Sequence, residues 1–343
     1  MKKNLLGFKI LAAIGAVPAI ALAQFTGSTD GFNNNGTRPA QFLKFAVGAR
    51  AAAMGESFAA VANDATALYW NPAGIGNLKD LEIHLSHTDY LTDVTFEFAG
   101  LVIPTTAGNF GFSAAAWAMG DEPITTAEDP TGASGLTWSA GSFAVGLTFS
   151  RALTDRFSIG LTGKYIQENI YHESAKTLAV DIGSVYDTGI RGVKIGMAMT
   201  NFGGKLKAEG RDLNVGGVDV DPRRPGNTTL NGDLRTSSWP LPLNFRVGLS
   251  FELLKNETGF LLLASDFNHP TDADERINVG GEYCLRNRLF LRGGYKFNYD
   301  EQSFALGGGV NLPVSNYHFV VDYAYHEFGL LGETHRFSVG FKL

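Results

Sequence analysis

The sequence predicts an all-β fold, a transmembrane antiparallel β-barrel of about fourteen strands with an N-terminal helical hatch inside its lumen. Three observations lead to this prediction. The chain begins with the features of an export signal, segments of alternating apolar and polar residues recur along it, and the connections between these segments are alternately short and long. Bacterial outer-membrane barrels combine such strands with short periplasmic turns and longer extracellular loops.

Residues 1–23 are the predicted signal peptide. Two lysines precede an apolar run from Leu5 to Ile20, and Ala21-Leu22-Ala23 has the small-x-small pattern of a cleavage site. We therefore expect the mature chain to begin at Gln24. The predicted location is the outer membrane of a Gram-negative-type bacterium.

The composition of the chain argues against nucleic-acid binding, disulfide cross-linking and membrane-spanning helices. Removal of the signal takes away three lysines and no acid, so the formal charge falls from −6 to −9, which argues against nucleic acid as a partner. The only cysteine, Cys284, lies far from the cleavage point, so we expect no lipid anchor. A single cysteine also excludes an intramolecular disulfide, and we expect Cys284 in a strand. Beyond the signal, no stretch approaches the roughly 18 apolar residues that a membrane helix needs, which leaves a water-soluble protein or a membrane barrel.

The last predicted strand separates these two possibilities. Phe337, Val339 and Phe341 fall on one face of the strand, while the intervening residues are polar or small. One face therefore suits lipid and the other suits water. A secreted β-sandwich or propeller is the alternative for alternating strands, but no blade-length repeat is visible. The same alternation recurs at 143–150, 245–252, 289–298 and 317–326.

Loop lengths provide an independent argument for the barrel. The strands number about fourteen between Leu81 and Leu343, an even number, as in single-chain bacterial barrels. The longest irregular stretches are Gly120–Gly135 and Gly203–Pro240, which we expect outside the cell. The predicted periplasmic turns are Thr106–Gly108, Thr154–Arg156, Gly189–Gly192, Lys255–Thr258, Arg286–Arg288 and Pro313–Asn316.

Residues 24–80 form a different kind of segment, before the barrel at 81–343. A flexible lead rich in Gly, Asn, Ser and Thr is followed by small residues that can pack closely against other backbone. Asn63 or Asp64 is expected to cap a short helix through Trp70, and Asn71-Pro72 is a second helix start. The segment is too short to fold alone, so we expect it to pack against the barrel interior.

The hatch sequence resembles a known family. Gly48–Phe58 followed by Asp64–Gly74 is similar to the PorV/PorQ family of outer-membrane proteins, which is related in architecture to the FadL-type transporters. The resemblance implies a fourteen-stranded barrel closed by an N-terminal hatch with an Asn-Pro-Ala motif. Asn63 stands where many members carry a second aspartate. The hatch motif in this chain is Asp64, Tyr69, Trp70, Asn71, Pro72, Ala73 and Gly74.

The resemblance also implies a function, because PorV members act in type IX secretion, where they receive secreted cargo proteins and pass them on for surface attachment. It favours a plugged barrel whose partners are outer-membrane lipid and cargo proteins or secretion-system components. The Gly203–Pro240 loop is the candidate contact surface, and a merely solvated, variable loop is the competing interpretation. The residues singled out there are Arg211, Asp219, Asp221, Arg223, Arg224 and Trp239.

Uptake of a hydrophobic small molecule, such as a fatty acid, is the alternative function. It would require an apolar pocket near the hatch and a kinked strand that opens towards lipid. The candidate pocket residues are equally suited to be the packing core of the hatch, and we favour that interpretation because a short plug needs apolar contacts to be ordered. They are Phe42, Phe45, Phe58 and Leu68, beside Tyr69 and Trp70.

Open diffusion, as in a porin, is a third possibility. Charged residues of both signs fall on the inward face of the predicted strands, as in a water-filled pore or a salt-bridged plug. We favour pairing that holds the hatch and strands together. The predicted lumenal charges are Lys164, Asp181, Arg246, Glu282, Arg292, Lys296, Asp322 and Arg336.

No enzymatic site is predicted, and no cofactor. A Gly-x-Ser-x-Gly turn and a His-x-x-x-His pair are both absent from the sequence. His84 and His87 are three residues apart, a spacing that places them on opposite faces of a strand. We therefore predict no catalytic residue and no metal site.

Overall fold

The computed structural model describes residues 36–190, 192–219, 229–256, 258–315 and 317–343. The predicted signal peptide, 1–23, lies outside these residues, as does most of the predicted lead. No helix in the described ranges is long and apolar enough to cross a bilayer.

Fourteen long antiparallel strands form one closed sheet in the described part of the chain, as the sequence predicted. Each strand pairs with its neighbours in sequence, and the last pairs with the first. They are β1 Glu82–Asp89, β2 Thr95–Thr105, β3 Gly108–Ala118, β4 Ala140–Thr154, β5 Phe157–Ile170, β6 Glu173–Asp187, β7 Lys194–Gly203, β8 Asn244–Asn256, β9 Gly259–Pro270, β10 Arg276–Leu285, β11 Leu289–Phe297, β12 Phe304–Val314, β13 Tyr317–Glu327 and β14 Glu333–Lys342.

Closure of the sheet occurs between β1 and β14. Glu82 lies opposite Lys342, and the pairing continues to Asp89 opposite His335. The ladder is interrupted between β6 and β7, where the register shifts between Val180 and Ile182. Closure removes the exposed backbone edge that a bilayer does not tolerate.

The strands alternate between outward apolar and inward polar or small residues. In β14, Phe337 and Val339 are about half exposed, whereas Arg336 and Ser338 are buried. Because successive side chains of a strand point to opposite faces, this pattern gives an apolar outer surface for lipid. Cys284 is buried within β10, in a strand as predicted.

The connections are sorted as the sequence predicted. All six predicted periplasmic turns join their strands at one end of the barrel by short connections, for example two residues between Thr105 and Gly108. The two longest connections, 119–139 and 204–243, lie at the other end. The two ends are hereafter the turn side and the loop side, and the sorting assigns the loop side to the cell exterior.

The long connections are more regular than expected. The 204–243 loop contains two short two-stranded sheets, and the 119–139 loop contains one. These pairings are Lys205–Lys207 with Ser238–Pro240, Asn214–Asp219 with Thr229–Asp233, and Glu122–Pro123 with Thr137–Trp138; Glu209–Gly210 extends the sheet beside β6, and short 3-10 helices occupy Arg211–Leu213 and Gly329–Leu331.

Residues 40–80, the hatch, lie inside the barrel and supply most of its hydrophobic core. The largest fully buried side chains include Phe42, Met54, Phe58 and Trp70 of this segment. A water-soluble β-sandwich would have its core between sheets, whereas here the core lies between the hatch and the inner wall. The hatch contains the 3-10 helix Gln41–Lys44, α1 Ala49–Ala53, α2 Ala67–Trp70 and the 3-10 helix Pro72–Asn77.

One local prediction was wrong. The α2 helix has Thr66 as its N-cap residue, without a side-chain cap, and neither Asn63 nor Asp64 caps it. Asp64 accepts a hydrogen bond from the Thr66 backbone N–H at 2.9 Å through one carboxylate oxygen and pairs with Arg50 through the other, so it holds the turn before the helix. The second predicted helix start is confirmed, because the Asn71 side chain caps the 3-10 helix by accepting a hydrogen bond from the Ala73 N–H and Pro72 follows as its first residue.

Candidate functional site

The candidate site is the contact between the hatch and the inner wall, and glycines of the wall make it close. A Cβ atom on Gly294 would lie 2.1 Å from the backbone nitrogen of Gly55, and one on Gly160 would lie 2.3 Å from the carbonyl carbon of Pro72. Only a residue without a side chain permits such an approach. The hatch backbone therefore rests directly on the wall at these positions.

Asn71 of the hatch motif is the centre of one contact. Its Nδ2 group donates to the carbonyl of Ala59 at 2.7 Å and to the carbonyl of Ser184 in β6 at 3.1 Å. Its Oδ1 atom accepts from the Ala73 N–H at 3.2 Å. One buried amide thus caps a helix, joins two parts of the hatch and bonds the wall, a combination that needs both a donor and an acceptor.

The other motif residues hold the hatch chain together. Tyr69 donates its hydroxyl to the carbonyl of Leu43, and Trp70 donates its ring N–H to the carbonyl of Val47, each at 2.9 Å. The wall serine Ser158 donates to the carbonyl of Ala73 at 3.1 Å. A Cβ on Gly74 would lie 2.3 Å from the Ala62 carbonyl oxygen, so this position also requires glycine.

A network of alternating positive and negative side chains links α1 to the wall. Arg50 donates to both carboxylate oxygens of Glu282, at 2.8 and 2.9 Å, and to Asp64 at 3.0 Å. Glu282 also accepts from Arg292 at 2.6 Å, and Arg292 donates to Asp322 at 2.6 Å. The structure thus brings together three predicted lumenal charges, one predicted hatch residue and Arg50.

Arg50 and Asp64, the hatch residues of this charge network, are held in their charged forms. Burial lowers the pKa of Arg50, but the carboxylates of Glu282 and Asp64 outweigh that effect and hold the pKa above its usual value. Burial raises the pKa of Asp64, and the positive charge of Arg50 outweighs it, so this pKa lies below its usual value. The pairing is therefore ionic at neutral pH.

Two further anchors lie nearer the middle of the hatch. Lys296 of β11 pairs with Glu56. Asp266 of β9 accepts from the backbone N–H groups of Phe58 and Ala59, at 2.9 and 2.8 Å. Asp266 was not singled out from the sequence, although its inward position in an alternating strand was a signal that pointed to it.

The remaining predicted lumenal charges have two different environments. Lys164 of β5 and Asp181 of β6 pair with each other at 2.8 Å, and both belong to the wall. Arg246 lies over the ring of Trp70, with 4.7 Å between its guanidinium carbon and the ring centroid. Arg336 donates to Thr88 at 2.8 Å. All eight residues lie on the inward face, but only some contact the hatch.

The predicted apolar pocket residues do not form one pocket, because only Phe42 and Leu68 line a cavity together. Phe58 is completely buried in the hatch core, near Trp70. Phe42 and Leu68 are also buried and line a cavity of only about 30 Å³ beside β4 and β5. Phe45 is only partly buried and stacks on Tyr90 near the loop side.

Two larger cavities flank the hatch, and both are lined by many polar groups. The loop-side cavity is about 260 Å³ and reaches Tyr90 and Phe328 in the loops. The turn-side cavity is about 300 Å³ and includes Arg50, His84 and Asn287. The hatch separates them, so the lumen of the described barrel is divided into two compartments.

The histidines and the described loop residues lie in separate environments. His84 is buried inside the barrel, whereas His87 is exposed on the outer face of the same strand, as their spacing predicted. No group of three His, Cys, Asp or Glu residues is placed to hold a metal in the described ranges. In the 204–243 loop, Arg211 contacts His172 and Trp239 is half exposed. The singled-out Asp221, Arg223 and Arg224 lie outside the described residues.

Solved structures with a similar fold are bacterial barrels. The Pseudomonas putida toluene transporter TodX aligns with a TM-score of 0.56 and 11% identity, over 86% of this chain and 97% of that chain. The Ralstonia pickettii toluene transporter TbuX gives 0.51 and 13%, over 86% and 97%. The monoaromatic hydrocarbon channel CymD gives 0.54 and 13%, over 86% and 96%. At these identities the likeness concerns the fold alone.

Sequence comparison is more specific. No curated protein matches the chain. The family model described as type IX secretion system protein PorV matches residues 30–269, more than half of the chain and all of the hatch. The protein is an outer-membrane β-barrel, and the chain belongs to the PorV family.

Proposed function

We propose that this barrel acts in type IX protein secretion and binds a protein partner at its loop side. The observation that carries the proposal is the PorV family match over residues 30–269. The divided lumen supports it, because cavities of about 260 and 300 Å³ suit small molecules rather than a polypeptide. In this proposal the working surface is the loop side, and the barrel is a membrane platform for it.

Exposed apolar side chains on the loop side support a protein contact there. Leu330 is 94% exposed and Leu331 is 60% exposed, at the tip of the connection between β13 and β14. Trp239, in a short two-stranded sheet of the longest loop, is 53% exposed. Apolar side chains beyond the strands are outside the lipid-covered band, so a protein partner is what would shield them from water.

The test is complementation of a strain that lacks this chain. We expect the wild-type chain to restore export of proteins that share a C-terminal domain, and the Leu330→Asp/Leu331→Asp variant to restore much less. Ile190→Asp is the matched control, because Ile190 is 67% exposed but lies in a turn-side connection. Affinity purification in a gentle detergent should recover the same secreted proteins. Unchanged export in the strain without the chain would reject the proposal.

Export and domain organisation belong to the same proposal. Cleavage after Ala23 would leave a mature chain that starts at Gln24, with the lead and hatch over 24–80 and the barrel over 81–343. N-terminal sequencing of the protein from purified outer membranes checks the cleavage point. A chain that still begins at Met1 in that membrane would contradict it.

Uptake of a hydrophobic small molecule is the second candidate function, since two observations favour it. The small apolar cavity beside Phe42 and Leu68 also touches Asp181, and the β6–β7 register shift lies at the same place. Asn201 of β7 has a φ of 66° there, and its N–H bonds the Asp181 side chain. An irregular strand beside an apolar cavity is where a lateral exit would form.

The small size of this apolar cavity argues against transport and therefore favours the secretion role. A cavity of about 30 Å³ is much smaller than the roughly 150 Å³ cavity that admits benzene, so the wall or the hatch would have to move. Uptake of radiolabelled toluene or oleate by cells with and without the chain tests the second candidate. A loss of uptake with normal protein export would favour transport.

A further inference from the structure

The loop-side cavity is a polar chamber whose charges are not balanced. Its floor includes Glu56 and Trp70 of the hatch, and Tyr299 and Phe328 lie in loops above. Arg246, Arg276 and Arg336 contribute three guanidinium groups to the lining, and none forms an ion pair with a carboxylate in the described part of the chain. Glu56, the acid of the described lining, pairs with Lys296. The chamber therefore has an excess of positive charge.

Several of its polar atoms are buried without a partner. Arg246 Nη1 and Arg276 Nε have no hydrogen-bond partner in the described structure, and Arg246 is only 7% exposed. The side-chain oxygens of Asn244, Asn268 and Asn278 are likewise unpartnered. A buried polar group without a partner is unfavourable, so these atoms require solvent or a ligand.

The unpartnered guanidinium nitrogens and carboxamide oxygens are together complementary to a small anion that carries hydroxyl groups. Guanidinium donors bind carboxylate and phosphate oxygens through charge-assisted hydrogen bonds. Carboxamide oxygens accept from hydroxyl groups. The guanidinium groups of Arg246 and Arg276 lie over the rings of Trp70 and Tyr299, at 4.7 and 4.2 Å from the ring centroids. A volume of about 260 Å³ holds roughly nine water molecules at about 30 Å³ each, which suits one sugar-sized ligand.

We propose that the loop-side cavity is a binding site for a small hydroxylated anion, with its carboxylate or phosphate on Arg246, Arg276 and Arg336 and its hydroxyl groups on the asparagine amides. This chemistry differs from that of an apolar pocket. The proposal does not depend on the secretion role, because it requires only that the cavity opens towards the loop side.

The test uses the purified full-length barrel in detergent, with binding of D-glucuronate, D-glucose and inorganic phosphate measured by isothermal titration calorimetry. We expect D-glucuronate to bind at least about tenfold more tightly than D-glucose, as the loss of one charge-assisted hydrogen bond predicts. Phosphate should compete with D-glucuronate. Equal binding of the neutral sugar, no binding of D-glucuronate, or phosphate that does not compete would each overturn the proposal.

Variants locate the site. Arg246→Met and Arg276→Met should each weaken D-glucuronate binding about tenfold or more. Arg276 lies at the loop-side start of β10, so its replacement is compatible with a folded barrel even if that of Arg246 is not. Arg156→Met is the matched control, because Arg156 is an exposed cation in a turn-side connection. Undiminished binding by a correctly folded Arg276→Met barrel, or an equal loss in Arg156→Met, would overturn the assignment.

Discussion

Replacement of Arg50 by methionine is expected to loosen the hatch without unfolding the barrel. Arg50 belongs to the hatch, its side chain is 16% exposed, and it bonds both oxygens of Glu282, which is 1% exposed. Removing one partner of a buried ion pair costs about 3–5 kcal/mol, because the other charge is left behind. Glu282 keeps its bond to Arg292, so the lower end of that range, about 3 kcal/mol, is expected.

Hydrogen exchange read by mass spectrometry measures this loss directly. A decrease of about 3 kcal/mol in the free energy that keeps the hatch docked corresponds to about a hundredfold faster exchange, at roughly 1.4 kcal/mol per tenfold. The amides of α1 should show it, for example that of Ala52, which bonds the Gly48 carbonyl. Peptides from the strands should exchange at the wild-type rate. Arg50→Lys should be intermediate, since lysine keeps the charge but not the two-pronged geometry.

Lys164→Met is the matched control for this experiment. Lys164 is also a mostly buried cation, 13% exposed, and its partner Asp181 is 1% exposed. Both residues belong to the wall, so their separation leaves the charge bonds of the hatch intact. Hatch exchange in Arg50→Met that is as slow as in the wild type, or equally fast in both variants, would refute the reasoning.

Three further experiments test the packing of the hatch against the wall and the burial of Cys284. Gly294→Ala places a Cβ about 2.1 Å from the Gly55 nitrogen, so the hatch should be destabilised by about 1–3 kcal/mol in hydrogen exchange, whereas Gly163→Ala, with open space, should not change it. Asn71→Asp keeps the cap but cannot donate to its two carbonyls, so proteolysis of the hatch should be faster by about tenfold or more. Cys284 is fully buried, so a maleimide should label it only after denaturation; rapid labelling of the folded barrel would contradict its position.

Much of the barrel could be predicted from the sequence, because its signal is local. An alternation such as Arg336, Phe337, Ser338 and Val339 fixes which face of a strand meets lipid without any knowledge of its neighbours. The turn and loop lengths are equally local. The family resemblance rested on a continuous stretch of the hatch, and the family match includes that stretch.

The contacts of the candidate site could not be predicted in the same way. Arg50 and Glu282 are 232 positions apart, and their pairing depends on how α1 sits in the closed barrel. Alternation placed Glu282 on the inward face but gave no partner for it. The interpretation of Asp64 as the cap of α2 failed because the helix begins at Ala67, after a turn that the sequence did not indicate.

Glycines on the inward face were a sequence signal for the hatch contact. Glycine weakens a strand, so its occurrence in the wall calls for a compensating close approach of another backbone. Gly160, Gly196, Gly280 and Gly294 all lie where an added Cβ would meet hatch backbone at 2.1 to 2.3 Å. The small residues of the hatch are the other half of this fit. Inward glycines on separate strands, read together with a small-residue segment, would have located the interface.

The two kinds of contact have different consequences for movement of the hatch. The Arg50–Glu282 pair depends on charge, whereas the fit at Gly294 depends on shape and persists when charges are neutralised. Moving the hatch would break both at once and would expose Glu282 without its hatch partner. A ligand that opened the lumen would have to replace those bonds, while a protein bound at the loop side would not. The contacts of the closed state are therefore compatible with the proposed protein-binding role of the loop side.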